Sequence, residues 1–410
     1  MSGRRVTDVA IFAPGLAEGG GAEKTALVTA QTLASTGLRV ACFDDSGVSR
    51  VELGVHFGLD LDGVELRALP SIRLPTRVPQ AVRDLVRDWL FARAIRRTNP
   101  RLFLNMKFKS ELPGLGDNNW YYVHFPHRLE HDTRSRQHFF YLQLVAGTRR
   151  AVLARGVGRF IDSYQVVLAN SEFTRDHVCK RWNVRATIAY PPCAQAAGVD
   201  ESARTKTILN VGRFQADGPQ IPHKRQDVLI RAFAQMPDLA AAGWSLHLVG
   251  AVGTTSEDRT YFEHIRRLAG DLPIHVHANA SHELLTDLTS HARVYWHAQG
   301  YGTDIAVHPE AQEHFGISTV EAMAAGIVPL VYATAGPAEV VQDESELMWR
   351  TPQELVAKTR ALITSGRWEH WHGSCRRRAA EFSNDAFARQ ITALYRSEVG
   401  PLPESVRGER

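Results

Sequence analysis

No C-x-x-C pair occurs in this chain. Its four cysteines, Cys42, Cys179, Cys193 and Cys375, stand far apart. That spacing suggests neither a zinc site nor a disulfide framework. Long hydrophobic runs are missing as well. No stretch approaches the roughly twenty apolar residues of a membrane-spanning helix, and the N-terminus lacks the apolar core of a signal peptide. The chain therefore reads as cytoplasmic, with peripheral attachment at the inner face of the cell membrane kept as a second reading. No solenoid repeat or low-complexity tract appears. Nor is charge of one sign concentrated. Lysine and arginine number 48 against 44 acidic residues, a net charge of +4, and most of the cations are arginine. Such an excess is consistent with phosphate-bearing ligands or an anionic surface. It falls short of the basic stripe of a nucleic-acid binder, so no nucleic-acid partner is expected.

What is present is an ordinary globular composition, 44% hydrophobic and 22% charged, over 410 residues. That length is too great for one usual core, so two domains are expected. Residues 6–13 (VTDVAIFA) read as a strand. A loop ending Glu18-Gly19-Gly20-Gly21 follows, then a helix over about residues 22–36, stopped by Gly37, and a strand at 39–43. Strand, glycine loop, helix, strand is the opening βαβ unit of a doubly wound α/β sheet. Gly20 and Gly21 either let the backbone approach an anion or a sugar closely, or form a turn without a ligand. The pattern is not G-x-G-x-x-G, which disfavours a nicotinamide-dinucleotide enzyme. Asp60 and Asp62 make a D-x-D that can chelate a metal with a diphosphate. Its glycine-flanked polar setting reads instead as a turn with solvated carboxylates. No metal site and no cofactor are expected.

Residues 79–97 form an amphipathic helix. Val82, Leu85, Val86, Trp89, Leu90 and Ile95 line one side; Arg83, Arg87, Arg93, Arg96 and Arg97 make the other basic. Such a helix either lies on an anionic membrane or packs on its own sheet. Strands are expected at 101–106 and 120–125, the second ending His124-Phe125-Pro126-His127. Pro126 stops the ladder, which leaves His124 at a strand's C-terminal end, the edge that faces the ligand crevice in open α/β sheets. A lone histidine is ordinarily a satisfied core or surface residue; this placement makes His124 a candidate. Residues 137–160 are helical in pattern, with a second basic face from Arg149, Arg150, Arg155 and Arg159. A strand at 166–169 precedes a helix opened by the capping sequence Asn170-Ser171-Glu172-Phe173-Thr174. After Tyr190-Pro191-Pro192, the polar residues 193–204 mark the domain boundary.

The second half renews the alternation. Strands are expected at 207–211, 245–249, 274–276, 294–297 and 328–331, with helices at 228–236, 261–269, 281–291 and 352–364. One long amphipathic helix is expected over residues 376–399. Residues 313–336 (EHFGISTVEAMAAGIVPLVYATAG) are the chemical centre of this half. Glu313 stands beside Phe315-Gly316, and Glu321 is expected to open a helical run that passes into the strand. A helix N-terminus offers free backbone N–H groups and the positive end of the helix dipole. Two carboxylates there suit hydroxyls flanking a bound anion rather than the anion itself. A diphosphate with a sugar on either side fits that layout. Arg213 follows a strand directly and Lys224 precedes a helix, so both fall at the same crevice edge. An arginine fork can take two phosphate oxygens, and the lysine adds charge.

These residues resemble a known family. Gly212-Arg213-Phe214 with Lys224, the run Asp227-Val228-Leu229-Ile230-Arg231-Ala232-Phe233, and Glu313-His314-Phe315-Gly316-Ile317-Ser318-Thr319-Val320-Glu321 through Gly326 are similar to the retaining glycosyltransferases of family 4. Asn170 to Phe173, Tyr190-Pro191-Pro192, the glycine loop with Ala22-Glu23-Lys24, and Phe382-Ser383 match as well. Tyr121 to Pro126 (YYVHFP) and the Glu313–Glu321 run further resemble the branch of lipid-linked oligosaccharide α-1,2-mannosyltransferases. The resemblance implies the GT-B architecture, two Rossmann-like domains facing a central cleft. An acceptor-side domain would take residues 1–195 and a nucleotide-sugar domain residues 205–375. Residues 376–410 would cross back to the first domain.

The implied activity is transfer of a hexose, of mannose or glucose type, from a GDP- or UDP-linked donor to a hydroxyl, with retention and without a metal. The acceptor would be a glycan, a lipid-linked saccharide of the cell envelope, or a small molecule. Arg213 and Lys224 would bind the diphosphate. Glu313 would hold the sugar hydroxyls, and the amides from Phe315, Gly316, Ile317, Ser318 and Thr319 would contact sugar and phosphate. Glu321 would accept the ribose hydroxyls, His124 would stand at the reaction centre, and Gly20 and Gly21 would line the opposite side. Two departures stand out. Residues 215–222 lengthen the segment between Arg213 and Lys224, and residues 300–308 (GYGTDIAVH) enlarge a loop beside the site. The alternatives are a sugar-nucleotide isomerase or epimerase on the same fold, and a nucleotide-sugar-binding protein without turnover.

Overall fold

The computed structural model of the chain describes residues 7–71, 74–128, 147–148, 150–154, 158–195, 201–216, 224–342 and 344–403. The chain forms two compact units. Met1–Pro192 with Asp385–Arg410 makes the first, and Cys193–Asn384 the second.

The first unit is built on β1 (Val9–Phe12), β2 (Val40–Asp44), β3 (Val64–Ala68), β4 (Leu102–Asn105), β5 (Asn118–Val123), β6 (Val166–Ala169) and β7 (Thr187–Ile188). Their spatial order is β3-β2-β1-β4-β5-β6-β7, every neighbouring pair parallel. A sheet of this kind is buried on both faces, and alternate residues of β1 divide accordingly. Val9 and Ile11 join a core with Leu27, Leu33 and Phe387; Ala10 and Phe12 join another with Phe91, Ile95 and Trp182. The helices Gly21–Ala34 and Asn384–Glu398 serve the first core, and Gln80–Arg96 and Glu172–Trp182 the second.

The apolar side expected of the basic helix is split in the fold. Phe91, Ala92 and Ile95 are buried, Leu85 packs against the core, and Val82 and Trp89 remain exposed. The Arg93 guanidinium lies 5.3 Å above the Trp89 ring. The Asp60-Leu61-Asp62 segment is a turn, with the Asp62 amide donating to Asp60 Oδ1 at 3.0 Å and Asp62 paired with Arg50.

The second unit carries β8 (Thr207–Val211), β9 (Ser245–Gly250), β10 (Ile274–Ala278), β11 (Val294–Trp296), β12 (Val328–Tyr332) and β13 (Met348–Trp349) in the order β10-β9-β8-β11-β12-β13, again parallel. Leu209, Val249, Leu288, Tyr295, Ala322 and Ile327 form a core on one face. The other face is tied to the helix Pro352–Thr364, whose Thr359 hydroxyl receives the Trp296 indole N–H at 3.1 Å.

Several expectations need correction. β3, β13 and the helix Arg50–Phe57 were not anticipated. The single helix expected over 376–399 is two, Arg367–Ala380 and Asn384–Glu398. The break carries Phe382, buried against Phe315 and under the Arg378 guanidinium. Burying that ring in the second unit ends the helical run. Most of the helix expected over 137–160, with Arg149 and Arg155, lies outside the described residues; so does most of the 215–222 segment. Arg159 is described and pairs with Asp162 at 2.6 Å.

Candidate functional site

In the second unit, β8 ends at Val211, and Gly212 and Arg213 follow at the sheet's C-terminal edge. Gly212 lies against the stem of Lys224: a Cβ there would stand 2.7 Å from the lysine Cγ. Gln226 donates its side-chain amide to the carbonyls of Gly212 (3.1 Å) and Arg213 (3.3 Å), which fixes the turn. Arg225 adopts a left-handed conformation, φ 56°, at the cap of the helix Gln226–Phe233. Its guanidinium donates to the Tyr301 carbonyl at 3.0 Å and thereby holds the enlarged loop of residues 300–308.

Lys224 Nζ donates to Glu313 Oε2 at 2.5 Å, with side chains 28% and 19% exposed. Burial pushes the Glu313 carboxyl up. Lys224, His297 and His314 outweigh it together and hold the group below the usual carboxylate range. Glu313 is placed by its backbone, because its carbonyl accepts from the Gly336 amide at 3.1 Å. Only glycine fits at 336, since a Cβ would come 2.3 Å from the Phe315 Cα. Gly316, at φ 100°, turns the chain into the helix Ile317–Ala324.

The amides expected to contact a ligand do not all remain available. Thr319 N–H bonds the Gly316 carbonyl at 3.0 Å. Ile317 and Ser318, the first two helical residues, have no such backbone acceptor among the described residues. The Ser318 hydroxyl is engaged with Tyr295 OH at 2.8 Å. Phe315 is buried against Phe382, so its side chain is a prop for the loop. Glu321 does not open the helix; it lies in the second turn, because helix formation starts directly after Gly316.

The first unit holds Gly20, Gly21 and His124. The Gly20 amide donates to the Glu23 carboxylate at 2.8 Å, a cap on the helix Gly21–Ala34. That N–H is therefore engaged within the fold. His124 follows β5 and is 6% exposed, stacked on Phe108. Its Nε2 lies 3.1 Å from the Met106 carbonyl. A carbonyl only accepts, so Nε2 carries the hydrogen and Nδ1 is left as the acceptor. Burial pulls the ring's pKa down to about 4, against the Met106 bond, which raises it. His124 is a neutral, oriented imidazole.

Two residues of consequence were missed. Asp44, at the end of β2, accepts from the amides of Gly15 (3.0 Å), Leu16 (2.9 Å) and Ser46 (2.9 Å) and from the Ser46 hydroxyl. It anchors the glycine loop. His297 follows β11 on the edge that holds Glu313; the strand-end rule that singled out His124 would have found it.

Two parallel, doubly wound α/β units of Rossmann type are the GT-B fold, the fold class expected of the sequence. Anabaena HepE, crystallised with UDP and glucose, superposes with a TM-score of 0.64 over 95% of this chain and 100% of that one, at 15% identity. Residues 197–372 match the model of the family Glycosyl transferases group 1. The likeness to the lipid-linked oligosaccharide mannosyltransferase branch also holds. The GDP-Man:Man(3)GlcNAc(2)-PP-Dol alpha-1,2-mannosyltransferase of Candida glabrata is 31% identical over 44% of this chain and 35% of its own length. Its Homo sapiens counterpart is 30% identical over 42% and 35%. The matches thus span about a third of the length of these relatives. Among the described residues, no helix is long and apolar enough to cross a membrane.

Proposed function

We propose that the protein is a retaining glycosyltransferase that moves a hexose from a nucleotide-diphosphate sugar to an acceptor hydroxyl. The observation that carries this reading is the Lys224–Glu313 pair at the sheet edge, with the helix N-terminus after Glu313, where the Ile317 and Ser318 amides have no backbone acceptor among the described residues. A cation, a carboxylate and a helix N-terminus at one sheet edge suit a phosphate with a sugar attached. Arg213 and Lys224 take the diphosphate, Glu313 the sugar hydroxyls and Glu321 the ribose. The two amides stabilise the charge that grows on the leaving group. The bond from the anomeric carbon to the phosphate oxygen breaks as the acceptor oxygen bonds the same carbon on the same face. The acceptor's proton passes to the departing phosphate, so neither glutamate serves as general base. His124 and the Gly20-Gly21 loop are assigned to the acceptor-side unit. The resemblance to the mannosyltransferases favours GDP-mannose as donor and a lipid-linked glycan as acceptor.

The test is release of nucleoside diphosphate from GDP-mannose, UDP-glucose and related donors, with and without glycan acceptors. Release that depends on the acceptor, with α-anomeric product and no loss in EDTA, is expected. Interconversion of the nucleotide sugar without an acceptor would replace transfer by epimerisation. Binding without any conversion would leave a non-catalytic receptor. The helix Gln80–Arg96, with exposed Val82 and Trp89 among arginines, is proposed to rest on anionic lipid. No co-sedimentation with anionic vesicles at low salt would retire that contact.

A further inference from the structure

His297 is placed by its backbone before its ring does anything. Its N–H donates to the Leu330 carbonyl at 3.0 Å. Its carbonyl accepts from the Tyr332 amide (3.2 Å) and from the Trp349 indole N–H (3.1 Å). The residue is 4% exposed, and among the described residues neither ring nitrogen has a hydrogen-bond partner. Leaving a buried polar atom unpaired is costly, and native chains hold few such atoms. Others gather near this strand end. Asn210 donates Nδ2 to the Trp296 carbonyl at 2.8 Å, and among the described residues its Oδ1 and the Gln299 Oε1 have no partner.

The charge of the neighbourhood indicates which part of a ligand the ring meets. Burial lowers the His297 pKa to about 4; Glu313 works against that shift and Lys224 adds to it. The imidazole is therefore neutral at physiological pH, with one N–H to give and one lone pair to receive. A phosphate calls for cations and amides, which Lys224, Arg213 and the Ile317–Ser318 turn supply. A sugar hydroxyl both donates and accepts, and so matches a neutral ring.

We propose that His297 is a specificity-determining residue of the donor site, its ring bonding hydroxyls of the transferred sugar beside Glu313. This rests on the glycosyl-donor reading above. The test is calorimetry on the full chain with GDP, GDP-mannose, UDP and UDP-glucose. His297→Ala should bind the nucleoside diphosphate as the parent does, and the matching nucleotide sugar about tenfold more weakly, equivalent to about 1.4 kcal/mol. His297→Asn, which keeps a donor and an acceptor, should recover part of the loss. In the unaltered protein, the His297 ring resonances should move on adding the nucleotide sugar and stay put with the diphosphate alone, a readout independent of any variant's folding. Equal weakening toward both ligands, or none toward either, overturns the inference while leaving the donor reading intact. Failure of the unaltered protein to bind any of the four nucleotides overturns both.

Discussion

Replacing Lys224 by methionine keeps most of the side chain's volume and removes its charge. Glu313 is then left partly buried without a cation. The paired atoms are 2.5 Å apart. At an effective dielectric of about 20, their attraction is on the order of 6–7 kcal/mol. Desolvation of both groups opposes most of this. With side chains 28% and 19% exposed, and with protonation of Glu313 open as relief, the net loss of stability should be about 1–3 kcal/mol. Glu313→Gln in the Lys224→Met background removes the stranded carboxylate and should restore most of that loss in urea unfolding. Binding should separate from stability. Nucleoside diphosphate affinity should fall about 10- to 100-fold in both Lys224 variants, since a charge-assisted contact contributes about 1.5–3 kcal/mol. It should remain near the parent value in Glu313→Gln alone, where only the nucleotide sugar weakens. A double variant that binds the diphosphate like the parent would refute the assignment of Lys224 to phosphate and reduce the pair to a structural ion pair.

Asp44→Ala should destabilise the first unit by about 2–4 kcal/mol, because hydrogen bonds to a charged acceptor contribute about 1.5–3 kcal/mol each and do not add fully. Affinity for nucleoside diphosphate, measured by calorimetry, should not change; a parallel fall would make Asp44 a ligand residue rather than a loop anchor. The buried histidines set an acid limit. His124 and His297 titrate near 4 when folded, against an ordinary 6.5, so the unfolded chain binds more protons between those values. The stability gained by keeping the rings neutral is complete above pH 6.5 and is lost as pH falls toward 4, on the order of 1 kcal/mol per pH unit for each ring. Glu313, held below its ordinary 4.5, contributes above that pH and loses its share as pH drops through its folded value. Urea unfolding at about pH 7 and about pH 5 should show a shallower decline for His297→Asn; an unchanged slope would contradict the neutral buried ring.

The strands that position the site are legible because they are short apolar runs closed by glycine or proline. β1 and β8 are of this kind, and β6 is closed instead by the helix cap Asn170-Ser171. β3, with its half-exposed Val64–Ala68, and the two-residue β13 carry too little pattern to register. The helix Arg50–Phe57 did leave a sign, the Ser49–Glu52 capping box. Lys224 and Glu313, far apart in the chain, were assigned to one edge by the strand-end rule, and they meet there. Three things at the site depend on the folded backbone. One is the engagement of the Thr319 and Gly20 amides. Another is the starting point of the helix ahead of Glu321. The third is the pair of His297 ring nitrogens, which have no partner among the described residues. Residue spacing cannot reveal whether a donor is already used.

The break at Phe382 reaches further than helix length. Within the second unit the Cys193 amide donates to the Phe382 carbonyl at 2.8 Å, and Cys193 and Ser383 form a parallel bridge. The unit's first and last residues are thus stitched side by side. Topologically, Cys193–Asn384 is an insertion into the first unit, entering and leaving through one gate. Adjacent ends of this kind make a module portable. It can be excised, circularly permuted or grafted into another host, and the loop that carries Glu313 would travel with it whole.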